Sequence, residues 1–297
     1  MKPVRILVAA CLLFAAQAGP AQAESGTAAV PGGAVLGNDI SWPQCGSDLP
    51  APPAFVIVGV NGGRPDTVNP CLADQLAWAN RSAAATAGTP AAVYVNTAAT
   101  GPVESLWWPA TNTYLGKDIN NPYGACNGSA SPACSYVHGY AMAVNDVATL
   151  NARGGEIHRM WWLDVETGNS WLSDKAANAA ELEGMAAYLL GAGGEVGIYS
   201  TGYQFAEIAG EISPGSNLYK LKNWLAGAED PVSAQEYCGA AALTGGATVT
   251  TTQFTAGNLD YNYQCPGTAP EPKPQPGPQP EQSRSDAYAE MHAAQIS

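Results

Sequence analysis

The chain has 297 residues, 46% of them hydrophobic and only 12% charged. That is long enough to bury a full core and too apolar for a disordered chain. The net charge of −13 argues against a nucleic-acid partner, because neutralising phosphates takes clustered Lys and Arg, and against an electrostatic grip on an anionic surface.

Residues 1–23 read as a signal peptide: Lys2 and Arg5 precede the apolar run "ILVAACLLFAA", and "AQA" at 21–23 is a small-x-small cleavage site. The run is too short to cross a membrane, and no later run is long enough. The expected location is outside the cell, secreted or cell-wall associated. Removing Cys11 with that segment leaves Cys45, Cys71, Cys126, Cys134, Cys238 and Cys265. An even number in an exported chain reads as disulfides, and sequence order suggests pairing them as neighbours. His138, His158 and His292 are scattered and no Cys/His spacing fits zinc, so neither a metal nor a cofactor is expected.

Residues 24–33 form a Gly-rich lead-in. A short strand over 34–41 and a β-branched one over 54–60 follow. Helical spacing at Leu72, Leu76 and Ala79 predicts a helix over 70–88, with a Gly stop. A strand over 90–97 leads into a long irregular stretch, 98–135, of the kind that is usually functional or stapled. Next come a helix (135–155), a strand (158–166), a capped helix (173–194), a strand (195–201) and a short helix (202–210). Three strands close the domain at 222–227, 248–255 and 258–264, with no good helix between them. From Pro266 a Pro-rich linker (266–283) and a short tail (284–297) end the chain. The folded domain is therefore 34–265. Apolar strands alternating with helices predict a mainly parallel sheet, and eight of them a closed α/β barrel.

In "MWWLDVETGNSW" (160–171) two acids stand one residue apart among three tryptophans. On a strand, Asp164 and Glu166 share a face with Trp162, their Cα atoms ~6.6 Å apart. A barrel would bring this strand end to the same mouth as Asp39 of the first strand and Asp260 of the eighth. Several carboxylates in a Trp-lined cleft suit glycosidic bond cleavage, with one acid protonating the leaving oxygen and others stabilising oxocarbenium-like charge. Trp42, Trp107, Trp108, Tyr199 and Trp224 are the candidate sugar-stacking aromatics; Trp78, inside a predicted helix, reads as core.

These residues resemble those of glycoside hydrolase family 25, the Chalaropsis-type lysozymes, or of a closely related glycoside-hydrolase-like barrel family. "GNDISWPQ" (37–44) matches the family's first-strand pattern, "LDVE" (163–166) its D-x-E, and "GIYST" (197–201) its aromatic strand. "NWLAG" (223–227) and "QFTAGNLDYN" (253–262) match its closing segments, in the family's order. The resemblance implies a single TIM-like barrel of the (β/α)5β3 type and a muramidase, cleaving the β-1,4 bond between N-acetylmuramic acid and N-acetylglucosamine. It makes Glu166 the general acid/base. Asp164 orients the 2-acetamido group as internal nucleophile, while Asp39 and Asp260 tune pKa values and hold the sugar. The second-strand "GVNGG" (59–63), the third-strand "VYVNT" (93–97) and the 98–135 insert depart from the family's pattern. They keep two alternatives open: a non-catalytic glycan-binding barrel of the cell envelope, or a hydrolase of a different glycan. The expected partner is peptidoglycan or another cell-wall glycan, and the expected state a monomer.

Overall fold

The computed structural model describes residues 35–268. The predicted signal peptide, the lead-in, the tail and most of the linker lie outside them.

Strands β1 (Leu36–Ile40), β2 (Phe55–Gly59) and β3 (Ala92–Asn96) open the chain; β4 (Thr113–Tyr114) and β5 (Lys117–Asp118) form a separate hairpin. Strands β6 (Met160–Asp164), β7 (Glu195–Ser200), β8 (Lys222–Ala228), β9 (Val249–Ala256) and β10 (Leu259–Gln264) complete a closed barrel in the order β1-β10-β9-β8-β7-β6-β3-β2. Only β10 runs antiparallel to its neighbours, β1 and β9; the other six pairings are parallel.

Period-2 alternation sorts each strand into two faces. Outward residues such as Val56, Val58, Val93, Val95, Leu163 and Ile198 join one large core with the surrounding helices. Inward residues, Ile57, Tyr94, Trp162, Tyr199 and Trp224 among them, fill the barrel itself. An inward face that ends in a carboxylate, as β6 does at Asp164, delivers that carboxylate to the C-terminal mouth.

The helices are α1 (Leu72–Ala79), α2 (Ala83–Thr86), α3 (Gly101–Glu104), α4 (Pro132–Ala152), α5 (Lys175–Gly191), α6 (Gly202–Ile208) and α7 (Pro231–Tyr237). The predicted helix over 70–88 is two helices. Asn80 ends α1, and the Ser82 hydroxyl restarts the chain by accepting from Ala85 N–H. The last three strands are not unseparated: α7 stands between β8 and β9, begun by Asp230 capping Ser233 with Pro231 in the first turn. Conversely, β1 and β2 are joined through a 3₁₀ turn at Trp42–Gln44 and no α-helix. Helix α4 starts at Pro132, capped by Ser131, earlier than the expected 135.

Helices α4 and α5 pack with their backbones in contact. A Cβ on Gly139 of α4 would strike the Glu181 carbonyl oxygen, and one on Gly184 of α5 would strike that of Tyr136. The 98–135 insert shares a small core with α4 and α5, in which Ile119 and Cys126 join Cys134, Tyr136, Val137 and Ala180, with Trp108 packed against them. Trp78 is buried and donates its indole N–H to Pro50 O. The disulfides are Cys45–Cys71, Cys126–Cys134 and Cys238–Cys265, as sequence order suggested. No helix among the described residues is long and apolar enough to cross a membrane.

Candidate active site

At the barrel mouth β1 and β10 pair so that Asp39 stands opposite Asp260. Asp39 is 7% exposed and its Oδ2 accepts from Asn262 Nδ2 at 2.8 Å and Gln253 Nε2 at 3.0 Å. Burial, then the neighbouring Asp260, push its carboxyl up to about 7, against the pull of those two amides. Asp260 Oδ1 accepts from Thr255 Oγ1 at 2.8 Å across the β9–β10 hairpin.

Asp164, at the end of β6, is 4% exposed. Its Oδ2 accepts from Asn96 Nδ2 at 2.6 Å, while Oδ1 is buried with no partner. Burial holds its carboxyl well above the ordinary range, and Glu166 and Asp39 add to the rise. Glu166 lies just past the strand. The Val165 N–H still donates to Tyr199 O at 2.9 Å, so the extended path continues and Glu166 keeps the face that Asp164 has. It is half-buried and raised by burial first and by Asp260 second. The loop beyond is held down: Trp171 Nε1 donates to Glu166 O at 2.8 Å, and Thr167 N–H and hydroxyl both donate to Gln204 Oε1. The four predicted acids thus come from three elements to one mouth, each raising or raised by a neighbour.

Beneath them lies an aromatic floor. Tyr199 and Trp224 have ring centroids 4.4 Å apart, Trp162 and Trp224 5.7 Å, Tyr94 and Trp224 6.4 Å. Tyr199 donates its hydroxyl to Gln253 Oε1 at 2.7 Å, tying the floor to the amide that holds Asp39. Trp162 and Trp224 are 3% and 2% exposed, so their faces serve each other more than an open cleft. Trp42 is exposed on the turn after β1, against Gly63. Trp107 and Trp108 join a different group: both flank the His138 ring, at 6.2 and 4.9 Å, and Trp108 Nε1 donates to Ser129 O. They stack the insert onto α4 rather than extend the aromatic floor.

Sequence reasoning missed the neutral partners. Gln253 and Asn262 sat inside quoted motifs, and Asn96 ends the "VYVN" strand, but nothing in their spacing marked them as ligands of Asp39 and Asp164. Also missed was Asp146 of α4, 3% exposed, which accepts from Asn61 Nδ2 at 2.7 Å and is raised by burial to about 8. No group of His, Cys, Asp and Glu among the described residues is arranged to hold a metal ion.

The arrangement offers several carboxyl groups in graded environments, three of them raised by burial, at the mouth of a barrel. Comparison with known proteins agrees with the sequence resemblance. Residues 131–236 match a family described as lysozyme-like protein 1. A probable GH family 25 lysozyme of Dictyostelium discoideum is 36% identical over 73 residues, which is 25% of this chain and 32% of that protein; the match spans about a third of the relative's length. Among solved structures, a family GH25 lysozyme from Aspergillus fumigatus has 13% identity, covering 79% of this chain and 96% of that one, with a TM-score of 0.48. A lysozyme from Streptomyces coelicolor has 13% identity over 80% and 95%, with a TM-score of 0.45. The chain is similar to lysozymes of glycoside hydrolase family 25.

Proposed function

We propose that this chain is a glycoside hydrolase that acts outside the cell on peptidoglycan, as a muramidase cleaving the β-1,4 bond between N-acetylmuramic acid and N-acetylglucosamine. The observation that carries the reading is the cluster of Asp39, Asp164, Glu166 and Asp260 at the barrel mouth, where burial raises the carboxyls of Asp39, Asp164 and Glu166 and no cation among the described residues pairs with them. Glu166 is the general acid: burial and Asp260 keep its proton to higher pH, and it is the most open of the pair on β6. Asp164 has one oxygen held by Asn96 and the other free. In this reading Asp164 orients a 2-acetamido group, turned so that its carbonyl oxygen attacks the anomeric carbon as the glycosidic bond breaks. Substrate-assisted hydrolysis of this kind needs no protein nucleophile. Glu166 then takes a proton from the water that opens the intermediate. Asp39 and Asp260 shape the field around that proton, and the buried rings close the barrel beneath the acids. The barrel, residues 34–265, acts as a monomer in this reading.

The test is digestion of purified peptidoglycan by the mature protein, with the new reducing ends identified after borohydride reduction. Reduced N-acetylmuramic acid ends support the proposal. Reduced N-acetylglucosamine ends, or binding with no release, overturn it.

A further inference from the structure

A second constellation lies away from the acids. A cavity of about 590 Å³ opens between the loop after β2, the start of the insert, α4 and the loop that follows Glu166. Ser105 and His138 both line it. Ser105 Oγ is 2.9 Å from His138 Nε2. On the far side of the ring, His138 Nδ1 is 2.6 Å from Glu181 Oε1. His138 is 4% exposed and Glu181 fully buried, whereas Ser105 is half-buried and faces open space. The imidazole lies near Trp107 and Trp108, at ring-centroid distances of 6.2 and 4.9 Å. A hydroxyl, an imidazole and a carboxylate in this order, with the hydroxyl at the cavity and the carboxylate shut away from it, is the arrangement that activates a serine nucleophile.

We propose that Ser105, His138 and Glu181 form a second catalytic site that hydrolyses short acyl esters of polar alcohols. Glu181 accepts the Nδ1–H, which leaves Nε2 free to accept the proton of Ser105. The serine oxygen attacks the ester carbonyl carbon as that proton passes to Nε2. The tetrahedral adduct collapses, the carbonyl carbon–alkoxy oxygen bond breaks, and the alcohol departs with the proton from Nε2. Water then gives a proton to Nε2 and attacks the acyl-serine. The serine–acyl bond breaks and the proton returns to Ser105, so ester and water become acid and alcohol with nothing else consumed.

The cavity itself indicates the substrate class. Asp66, Thr67, Thr149 and Asn169 line it with polar side chains that suit a hydroxylated alcohol. With Arg64 and Asn145 also on the wall, the lining favours a short acyl group on a hydroxylated carrier over a long fatty chain. Ser105 follows α3 directly, with extended backbone after a four-residue helix, so its exposure comes from the cavity and not from a strand-to-helix elbow. The inference does not rest on the glycosidase reading, since no residue of the acid cluster takes part.

The test uses the mature protein, a fluorophosphonate reporter and p-nitrophenyl acetate. The expected result is one phosphonyl adduct, mapped by peptide mass to Ser105, and ester hydrolysis that Ser105→Ala lowers by about 100-fold or more. His138→Gln lowers it comparably. Because Ser105 is half-exposed, Ser105→Ala should keep the wild-type melting temperature, which separates lost chemistry from lost fold. No adduct on Ser105, or hydrolysis that Ser105→Ala leaves unchanged, overturns the proposal. Neither outcome touches the reducing-end assay, so the two readings fail separately.

Discussion

Glu166 and Asp164 share a face, yet their surroundings divide the work between them. Asp164 is pinned by Asn96 and shut from water; Glu166 is unpinned and half open. Glu166→Gln keeps the size and removes the proton. Reducing-end release should fall by about 10²–10⁴, while binding to insoluble peptidoglycan, measured by pull-down, stays near wild type. Equal activity of the variant would remove Glu166 from the role of acid. Asp260 is the charge that raises Glu166 after burial itself. The proposed acid must be protonated to act, so activity is lost as pH rises through its folded pKa. Asp260→Asn removes a raising charge and should move that alkaline limb to lower pH. A pH profile with an unmoved limb would show that Asp260 acts only through contact.

Helices α4 and α5 show how an element sets chemistry at a distance. Their reciprocal glycine contacts let the two backbones meet, which brings His138 of α4 against Glu181 of α5. Gly184→Ala would drive a methyl into the Tyr136 carbonyl, and overpacking of this sort costs about 1–3 kcal/mol. At about 2–4 °C per kcal/mol for a domain this size, calorimetry should show a melting temperature several degrees lower. Gly191→Ala, at the end of the same helix, has open space at its Cβ and should be neutral or slightly stabilising. Helix propensity favours Ala over Gly at both positions, so a Gly184→Ala variant as stable as Gly191→Ala would show that the close approach carries no cost. The insert is likewise an element that spacing could not resolve. Its backbone is organised by Asn112, whose Oδ1 accepts from Cys126 N–H and Asn121 Nδ2, and side-chain hubs of this kind carry no periodicity.

Across the whole molecule, buried carboxyls couple folding to pH. Asp39 is raised to about 7 and Asp146 to about 8, both mainly by burial, from an ordinary 3.8. Between the unfolded and folded values the native state holds protons that the unfolded chain has lost. Stability is therefore fully present below about pH 4 for these groups and declines as pH rises through 7 and 8. The melting temperature should be several degrees higher at pH 5 than at pH 8.5, a difference of about a few kcal/mol. Asp146→Asn, outside the acid cluster, should flatten the slope without touching the acids. A melting temperature that rises with pH over this window would reverse the sign and refute the account.

How far the chain could be read in advance follows the range of the forces. Alternation and β-branching along the strands, the Trp-flanked D-x-E and the cysteine order are local. They pointed to the eight strands and the barrel, suggested the cysteine pairs, and singled out the four acids as candidates. The Asp230–Pro231 start of α7 and the Ser82 restart of α2 were legible too, as capping chemistry, but were overlooked because periodicity over such short helices is weak. What only the tertiary structure decided is which neutral groups meet the acids and which aromatics are covered. Asn262 reaches Asp39 across 223 positions of sequence, and Asn96 reaches Asp164 across 68. Ser105, His138 and Glu181 come from three separate segments, and the close α4–α5 approach at Gly139 and Gly184 is where His138 meets Glu181. Burial and hydrogen bonding act through space, and a side chain's pKa, partner and exposure are settled by neighbours that its own stretch of sequence does not contain.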